Sequence, residues 1–270
     1  MAGFIDIACN FTHESFKHNL EEIIKNAERE GVEKFVLLCA SLTDLDPIKL
    51  IQNNAPEKYF ISAGIHPHHA TEIVEINYDN LLNKLKSINP HAIGETGLDY
   101  FRNISPPDIQ KKSFRMHIEI AKELGLPLYL HQRDAHSDFV RIIKESRNNF
   151  PKFVVHCFTG TQKELDDYLE LDAYIGLTGW ICDAKRNIDL RQSIKNIPIE
   201  KMMIETDSPY LIPKNLINKP KKNINEPKYL PHIANEICEL TGYELEELKL
   251  ATRNNAINFF SYNKICLNQT

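Results

Sequence analysis

The sequence predicts an α/β protein folded as a single TIM (β/α)8 barrel, with an extra C-terminal helix. Two observations carry that expectation. Short apolar runs of strand length alternate with amphipathic stretches of helix length eight times over, a pattern that implies parallel strands joined by right-handed crossovers. In addition, four residues able to bind a divalent cation, Glu95, His131, His156 and Asp207, each stand at the end of such a run, in HAIGETGLDY, LPLYLHQRDA, FVVHCFTG and MMIETDSPY. A parallel barrel accounts for the recurrence because all of its strand ends open on one face. A doubly wound open sheet would not gather ligands from strands four, five, six and eight around one axis.

The units follow in order. FIDIA precedes HNLEEIIKNAEREG, where Leu20, Ile23, Ile24 and Ala27 share one helical face and Gly31 can close the C-terminus. KFVLLCA precedes TDLDPIKLIQNN, and YFISAGI precedes YDNLLNKLKSI. HAIGE leads to a longer helix ending at Gly125, with Pro106 and Pro107 where a first turn tolerates proline. LPLYLH then leads to HSDFVRIIKESR, FVVHCF to TQKELDDYLEL, AYIGLTG to NIDLRQSIKNI, and MMIET to HIANEICELTG. The last helix, ELEELKLATRNNAINFFSY, is expected to pack outside the ring. One long irregular stretch, SPYLIPKNLINKPKKNINEPKYLP, follows Asp207 directly and so lies over the barrel mouth; loops of that length are usually functional or mobile.

Composition narrows the class. With 270 residues, 42% apolar and 26% charged, the chain suits one soluble domain spanning residues 1–270 around one large core. Six dispersed cysteines (Cys9, Cys39, Cys157, Cys182, Cys238, Cys266) form no C-x-x-C pair, which argues for reduced thiols rather than a zinc ribbon or disulfide framework. MAGFIDIACNFTHESF has no basic segment followed by an apolar one, and no apolar run approaches the ~18–20 residues of a membrane helix. A cytoplasmic protein with no membrane partner is expected, taken as a monomer. A net charge of −5 weighs against wrapping long duplex nucleic acid, yet it allows a pocket that takes one chain end.

A full β/α unit separates His131 from His156, so only barrel closure can bring them together; neighbouring strands lie ~4.8 Å apart. Glu95 can complete a three-ligand face that leaves positions open to water, as a catalytic metal requires. Zn²⁺, Mn²⁺ and Mg²⁺ all fit this mixed carboxylate and imidazole set. Taken singly, each histidine is more ordinary as a core or loop residue; the combination carries the inference. Asp207 can ligate the metal or take a proton from the attacking water, or else cap the turn before Ser208 and Pro209. Glu205 shares its side-chain parity and can support it from behind.

GIHPH (Gly64 to His68), GETGLDY (Gly94 to Tyr100), HQRDA (His131 to Ala135), HCFTGT (His156 to Thr161), GLTGWICD (Gly176 to Asp183) and ETDSPYLIP (Glu205 to Pro213) together resemble the TatD family of metal-dependent deoxyribonucleases, within the amidohydrolase superfamily. The resemblance runs in order from Phe4 to about Phe260. It implies a TIM barrel and a divalent-metal hydrolase acting on DNA, with 3′–5′ exonuclease activity and a role in DNA repair or nucleic-acid turnover. Carried over residue by residue, Glu95, His131 and His156 are metal ligands and Asp207 is the strand-eight carboxylate. His66 and Arg133 face the scissile phosphate, a role that suits the planar fork of a guanidinium.

One departure from the wider superfamily stands out. Its strand-one D-x-H-x-H is here Asp6-Ile7-Ala8-Cys9-Asn10, with both histidines absent, and His13 is near but wrongly spaced. The form D-I-x-x-N-x-T resembles the TatD branch itself. The expectation is one ion held well by Glu95, His131 and His156, and a second held weakly by Glu95, Asp207, water and substrate phosphate. Mg²⁺ is therefore the expected ion, with Mn²⁺ or Zn²⁺ as alternatives, since oxygen-rich ligation disfavours a permanently bound Zn²⁺.

The expected substrate is DNA, at single-stranded 3′ ends that can enter a deep mouth, with RNA as a further possibility. The rival readings are an amidohydrolase acting on a small amide, ester or lactone, and a non-catalytic barrel that binds nucleic acid or a partner. His68 and His69 stand between substrate contact and exposed loop, and Asp99 and Tyr100 can order the strand-four loop. Lys214, Lys219, Lys221 and Lys222 either track a nucleic-acid backbone or are ordinary solvated charge.

Overall fold

The computed structural model describes residues 2–220 and 222–262; Lys221 and Cys266 lie outside the described residues. Eight strands, β1 (Phe4–Cys9), β2 (Val32–Leu38), β3 (Tyr59–Ala63), β4 (Ala92–Asp99), β5 (Leu128–Arg133), β6 (Phe153–Val155), β7 (Tyr174–Leu177) and β8 (Met202–Ile204), form one sheet in sequence order. Every neighbouring pair is parallel. The ring closes between β8 and β1 through a bridge from Cys9 to Ser208 and a hydrogen bond from Asn10 N to Ser208 O at 3.0 Å. The buried Asp6 carboxylate fastens the same seam, accepting from Thr206 N at 2.9 Å and from Thr206 Oγ1 at 2.5 Å. Burial pushes Asp6 up to about 7 against the pull of those donors. This is the expected TIM barrel.

Eight helices alternate with the strands: α1 (Leu20–Arg29), α2 (Leu45–Asn54), α3 (Tyr78–Ile88), α4 (Pro107–Leu124), α5 (His136–Ser146), α6 (Gln162–Glu170), α7 (Ile188–Ser193) and α8 (Leu230–Thr241). Local chemistry sets their ends. Gly125 takes φ 63° at the end of α4, and α4 begins at Pro107, where a missing N–H costs nothing. A capping box opens α6, with Glu164 Oε2 accepting from Thr161 N at 2.7 Å and Thr161 Oγ1 accepting from Glu164 N at 3.4 Å.

The ninth helix, α9 (Leu245–Phe260), departs from the expectation that it packs outside the ring. Its Ala256, Phe259 and Phe260 join the barrel's inward-facing cluster of Ile5, Ile7, Val36, Leu38, Phe60, Tyr129, Val154 and Met203. Phe260 stacks on Phe60 at 5.4 Å between ring centroids and lies 6.4 Å from Tyr129. The helix therefore seals the barrel floor. An open ring would leave this apolar lining in water, and the two phenylalanines supply the missing surface.

Along the strands the inward parity continues from this floor to the rim. Tyr129 is followed two residues later by His131, Val154 by His156, and Met203 by Glu205 and then Asp207. Apolar packing thus gives way to polar side chains at the C-terminal end. β4 needs a further device. Its pairing with β5 slips between Ile93 and Thr96, and this irregularity re-aims Glu95. At Gly94 (φ 146°) the two backbones approach so closely that an added Cβ would sit 2.0 Å from Tyr129 O. Only glycine permits that approach.

Candidate metal centre

Glu95 is the hub. It is buried, and its Oε1 lies 2.9 Å from His131 Nδ1, 2.8 Å from His156 Nε2 and 3.2 Å from His66 Nε2. Glu95 and His131 lie within β4 and β5, and His66 and His156 lie just past the ends of β3 and β6. Donor atoms of His66, Glu95 and His131 all fall within 4.8 Å of one another, and His156 reaches the same oxygen.

A single carboxylate oxygen has two lone pairs and cannot satisfy three N–H donors. Three imidazole nitrogens therefore crowd an oxygen that can serve two, and a cation among them would relieve that crowding. Two other buried nitrogens, His131 Nε2 and His156 Nδ1, also lack a hydrogen-bond partner. The donor set of one carboxylate and three imidazoles is therefore suited to a divalent ion, with Glu95, His131 and His156 able to hold it and His66 at its edge.

Electrostatics agree with that fit. Burial alone would raise the Glu95 carboxyl, but His156 and His66 nearby and hydrogen bonds from His131 and His156 hold it well below the usual carboxylate range. Burial would likewise lower His156, yet the charges of Glu95 and Glu205 carry it well above its ordinary value. His131 is raised against its own burial by Asp99 and Glu95. For His66 burial wins, and it falls to about 4. An ionised carboxylate that draws protons onto two imidazoles draws a metal ion in their place, with release of those protons.

Two carboxylates stand behind the histidines. Asp99 Oδ2 is 3.4 Å from His131 Nε2 and 2.7 Å from His68 Nε2, while its Oδ1 accepts from Arg102 N at 2.8 Å. Glu205, fully buried, lies 3.6 Å from His156 Nδ1 and accepts from Tyr129 Oη at 2.9 Å and Cys157 N at 2.5 Å. Such partners orient metal-binding imidazoles. The parity of Glu205 suggested support for Asp207; the structure sets it behind His156. Asp99 does order its loop, but it also backs His131. The alternation Glu95, Gly97, Asp99 was the signal that could have found it.

Asp207 sits apart from the tight group. It makes no hydrogen bond to Glu95 or the histidines; its Oδ1 accepts from Asn10 Nδ2 at 3.1 Å, and loss of water around the carboxyl pushes it up to about 7. Asn10 occupies the position of the second strand-one histidine, and Ala8, in place of the first, packs into the barrel interior. His13 accepts from Ser15 N at 3.1 Å, caps a short turn beyond β1 and does not join the cluster. Arg133, exposed at the rim two residues past His131, lies with its guanidinium 4.1 Å over Phe101. Tyr100 points away, donating to Asp138 Oδ2 at 2.8 Å. His69 lies near Glu72 at 3.8 Å. Lys214, Lys219 and Lys222 are exposed.

His117 of α4 positions His66. It is buried, its Nδ1 donates to Ser113 O at 2.8 Å, and its Nε2 accepts from Ile65 N at 3.0 Å. Burial lowers it to about 4 from 6.5. A histidine held neutral in the fold stabilises it fully above pH 6.5, and this contribution is lost as pH falls through about 4. The loss amounts to about 3 kcal/mol. Urea unfolding from pH 7 to pH 4 should show that decline, and the decline should be shallower in His117→Gln. Equal slopes in the two proteins would remove His117 as its source.

A family model described as TatD related DNase matches residues 5–261. A protein named 3′-5′ ssDNA/RNA exonuclease TatD from Edwardsiella piscicida is 37% identical over 256 residues, covering 95% of this chain and 98% of that protein. Its namesake from Citrobacter rodentium is 37% identical over 255 residues, 94% of this chain and 97% of its own. Among solved structures, a hydrolase TatD family protein from Entamoeba histolytica superposes with a TM-score of 0.85 at 29% identity, covering 95% of this chain and 97% of that one.

Proposed function

The chain belongs to the TatD-related DNase family, and on that premise we propose that it is a metal-dependent 3′–5′ exonuclease acting on single-stranded DNA and RNA. The observation that carries the reading is the convergence of three imidazoles on one buried carboxylate oxygen at the rim of the barrel. Glu95, His131 and His156 would hold a divalent ion, which would supply Lewis acidity for phosphodiester hydrolysis and acidify water at neutral pH.

The protein's own groups do the rest. Asp207, steadied by Asn10, faces the mouth as an acceptor for the proton leaving the attacking water. Arg133, its guanidinium over Phe101, offsets charge growing on the phosphoryl oxygens, and neutral His66 can donate a hydrogen bond to them. Asp99 and Glu205 fix the imidazole orientations. The intact cluster speaks against a non-catalytic barrel, and relatives named as exonucleases speak against small amide or ester substrates.

Ion identity follows from donor chemistry. The position around Glu95 is rich in imidazole nitrogen and suits Mn²⁺ or Zn²⁺, whereas a second position toward Asp207 lacks nitrogen donors and suits Mg²⁺, held weakly with help from substrate phosphate. We further propose the cytoplasm as its compartment and nucleic-acid turnover and DNA repair as its role. Oligonucleotides labelled at the 5′ end test it. Metal-dependent ladders shortening one nucleotide at a time from the 3′ end are expected, with loss in chelator. Turnover of acyl substrates with inert oligonucleotides would overturn the proposal.

A further inference from the structure

At the same rim of the barrel as the metal centre, the turns after β7 and β8 enclose a cavity of about 290 Å³ lined in part by Trp180, Asp183, Arg186, Tyr210 and Lys214. We propose that this cavity is a nucleotide subsite flanking the scissile phosphodiester: one base of the single strand stacks on Trp180 and Tyr210, and its phosphate meets Arg186 and Lys214. The inference rests on the exonuclease reading and deepens it.

Four observations support the assignment. The cavity wall is tied to the strand-eight carboxylate residue, since Tyr210 stands three residues past Asp207 and its N donates to Asp207 O at 2.9 Å. The two aromatic walls differ in a useful way. Trp180 is half-buried, with its backbone N donating to Thr178 Oγ1 at 3.2 Å and its carbonyl accepting from Asn187, whereas Tyr210 is 51% exposed, with the His13 ring set T-shaped against it at 5.5 Å between centroids. Exposed aromatic surface beside a cleft is the hallmark of single-strand binding, because every base has a π-face.

The cationic groups are placed for a phosphate. Arg186 lies 4.8 Å over the Trp180 ring, and its partner Asp183 holds it there at 2.7 Å. Lys214 is exposed on the long loop across the cavity. Finally, the volume is near the lower bound of ligand pockets, ~300 Å³, which suits one base rather than a duplex step.

Trp180 is the only tryptophan in the chain, so its fluorescence reports on the cavity without any turnover. The full-length protein in EDTA is titrated with hexathymidylate and with the same oligomer carrying abasic residues. Saturable quenching by hexathymidylate is expected, weakened by salt and by loss of the bases. Tyr210→Ala and Arg186→Gln should each weaken it roughly 10- to 100-fold, while Tyr210→Phe, which keeps the ring, should bind as the parent does. In metal-supported turnover the Tyr210→Ala loss should fall mainly on KM. Quenching that depends on Tyr210 without any hydrolysis would leave the subsite standing and sink the exonuclease reading. Hydrolysis with unquenched Trp180, or with parental KM in Tyr210→Ala, would overturn the subsite.

Discussion

Glu95→Gln is expected to lower kcat on single-stranded oligonucleotides by on the order of 10³-fold or more while the fold persists. The substitution keeps the shape of the side chain and removes its charge. Three imidazoles converge on Oε1 at 2.8 to 3.2 Å, so the carboxylate is the one group that all of them share. A carboxamide offers neutral oxygen and an unwanted donor in its place. It can neither neutralise a divalent cation nor stay ionised among protonated histidines. Far-UV circular dichroism should match the parent, and Mn²⁺ titration by calorimetry should show the tight site gone. Parental kcat in a folded Glu95→Gln protein would leave the centre without its hub.

The second large effect is on stability. Phe260→Ala should destabilise the chain by about 3–5 kcal/mol, the usual range for truncating a buried aromatic. Phe260 is 2% exposed, stacks on Phe60 and touches Phe259 at 4.9 Å between ring centroids. Its removal opens a void where α9 plugs the barrel and uncovers the lower ring of inward side chains. The midpoint of urea unfolding should fall with little change in slope. Phe260→Leu, which refills most of the volume, should recover much of the loss. A midpoint unmoved by Phe260→Ala would mean that the floor is sealed by something else.

Much of this architecture was legible in the sequence because it rests on periodicity. Eight apolar runs followed by eight amphipathic stretches leave a parallel ring as the economical solution, and Gly125 and Pro107 marked their helix ends. Glu95, His131 and His156 were legible as a group because each follows a buried run. Other parts depend on long-range closure. Nothing local to Asn10 points to Asp207, 197 residues away, until β1 and β8 meet. The apolar pair Phe259 and Phe260 looks like any helix face until the barrel floor requires a lid. Glu95 faces inward because β4 slips against β5 at Gly94, a register event that depends on the partner strand. Resemblance places His66 at the phosphate; the structure shows its Nε2 3.2 Å from Glu95 Oε1.

The central claim is that distant side chains meet around one divalent cation. Anomalous diffraction from crystals soaked in Mn²⁺ tests it directly. The account predicts a strong anomalous peak bonded to Glu95 Oε1 and to nitrogens of His131 and His156, at roughly 2.0–2.3 Å. A peak elsewhere, or none at saturating Mn²⁺, would contradict it.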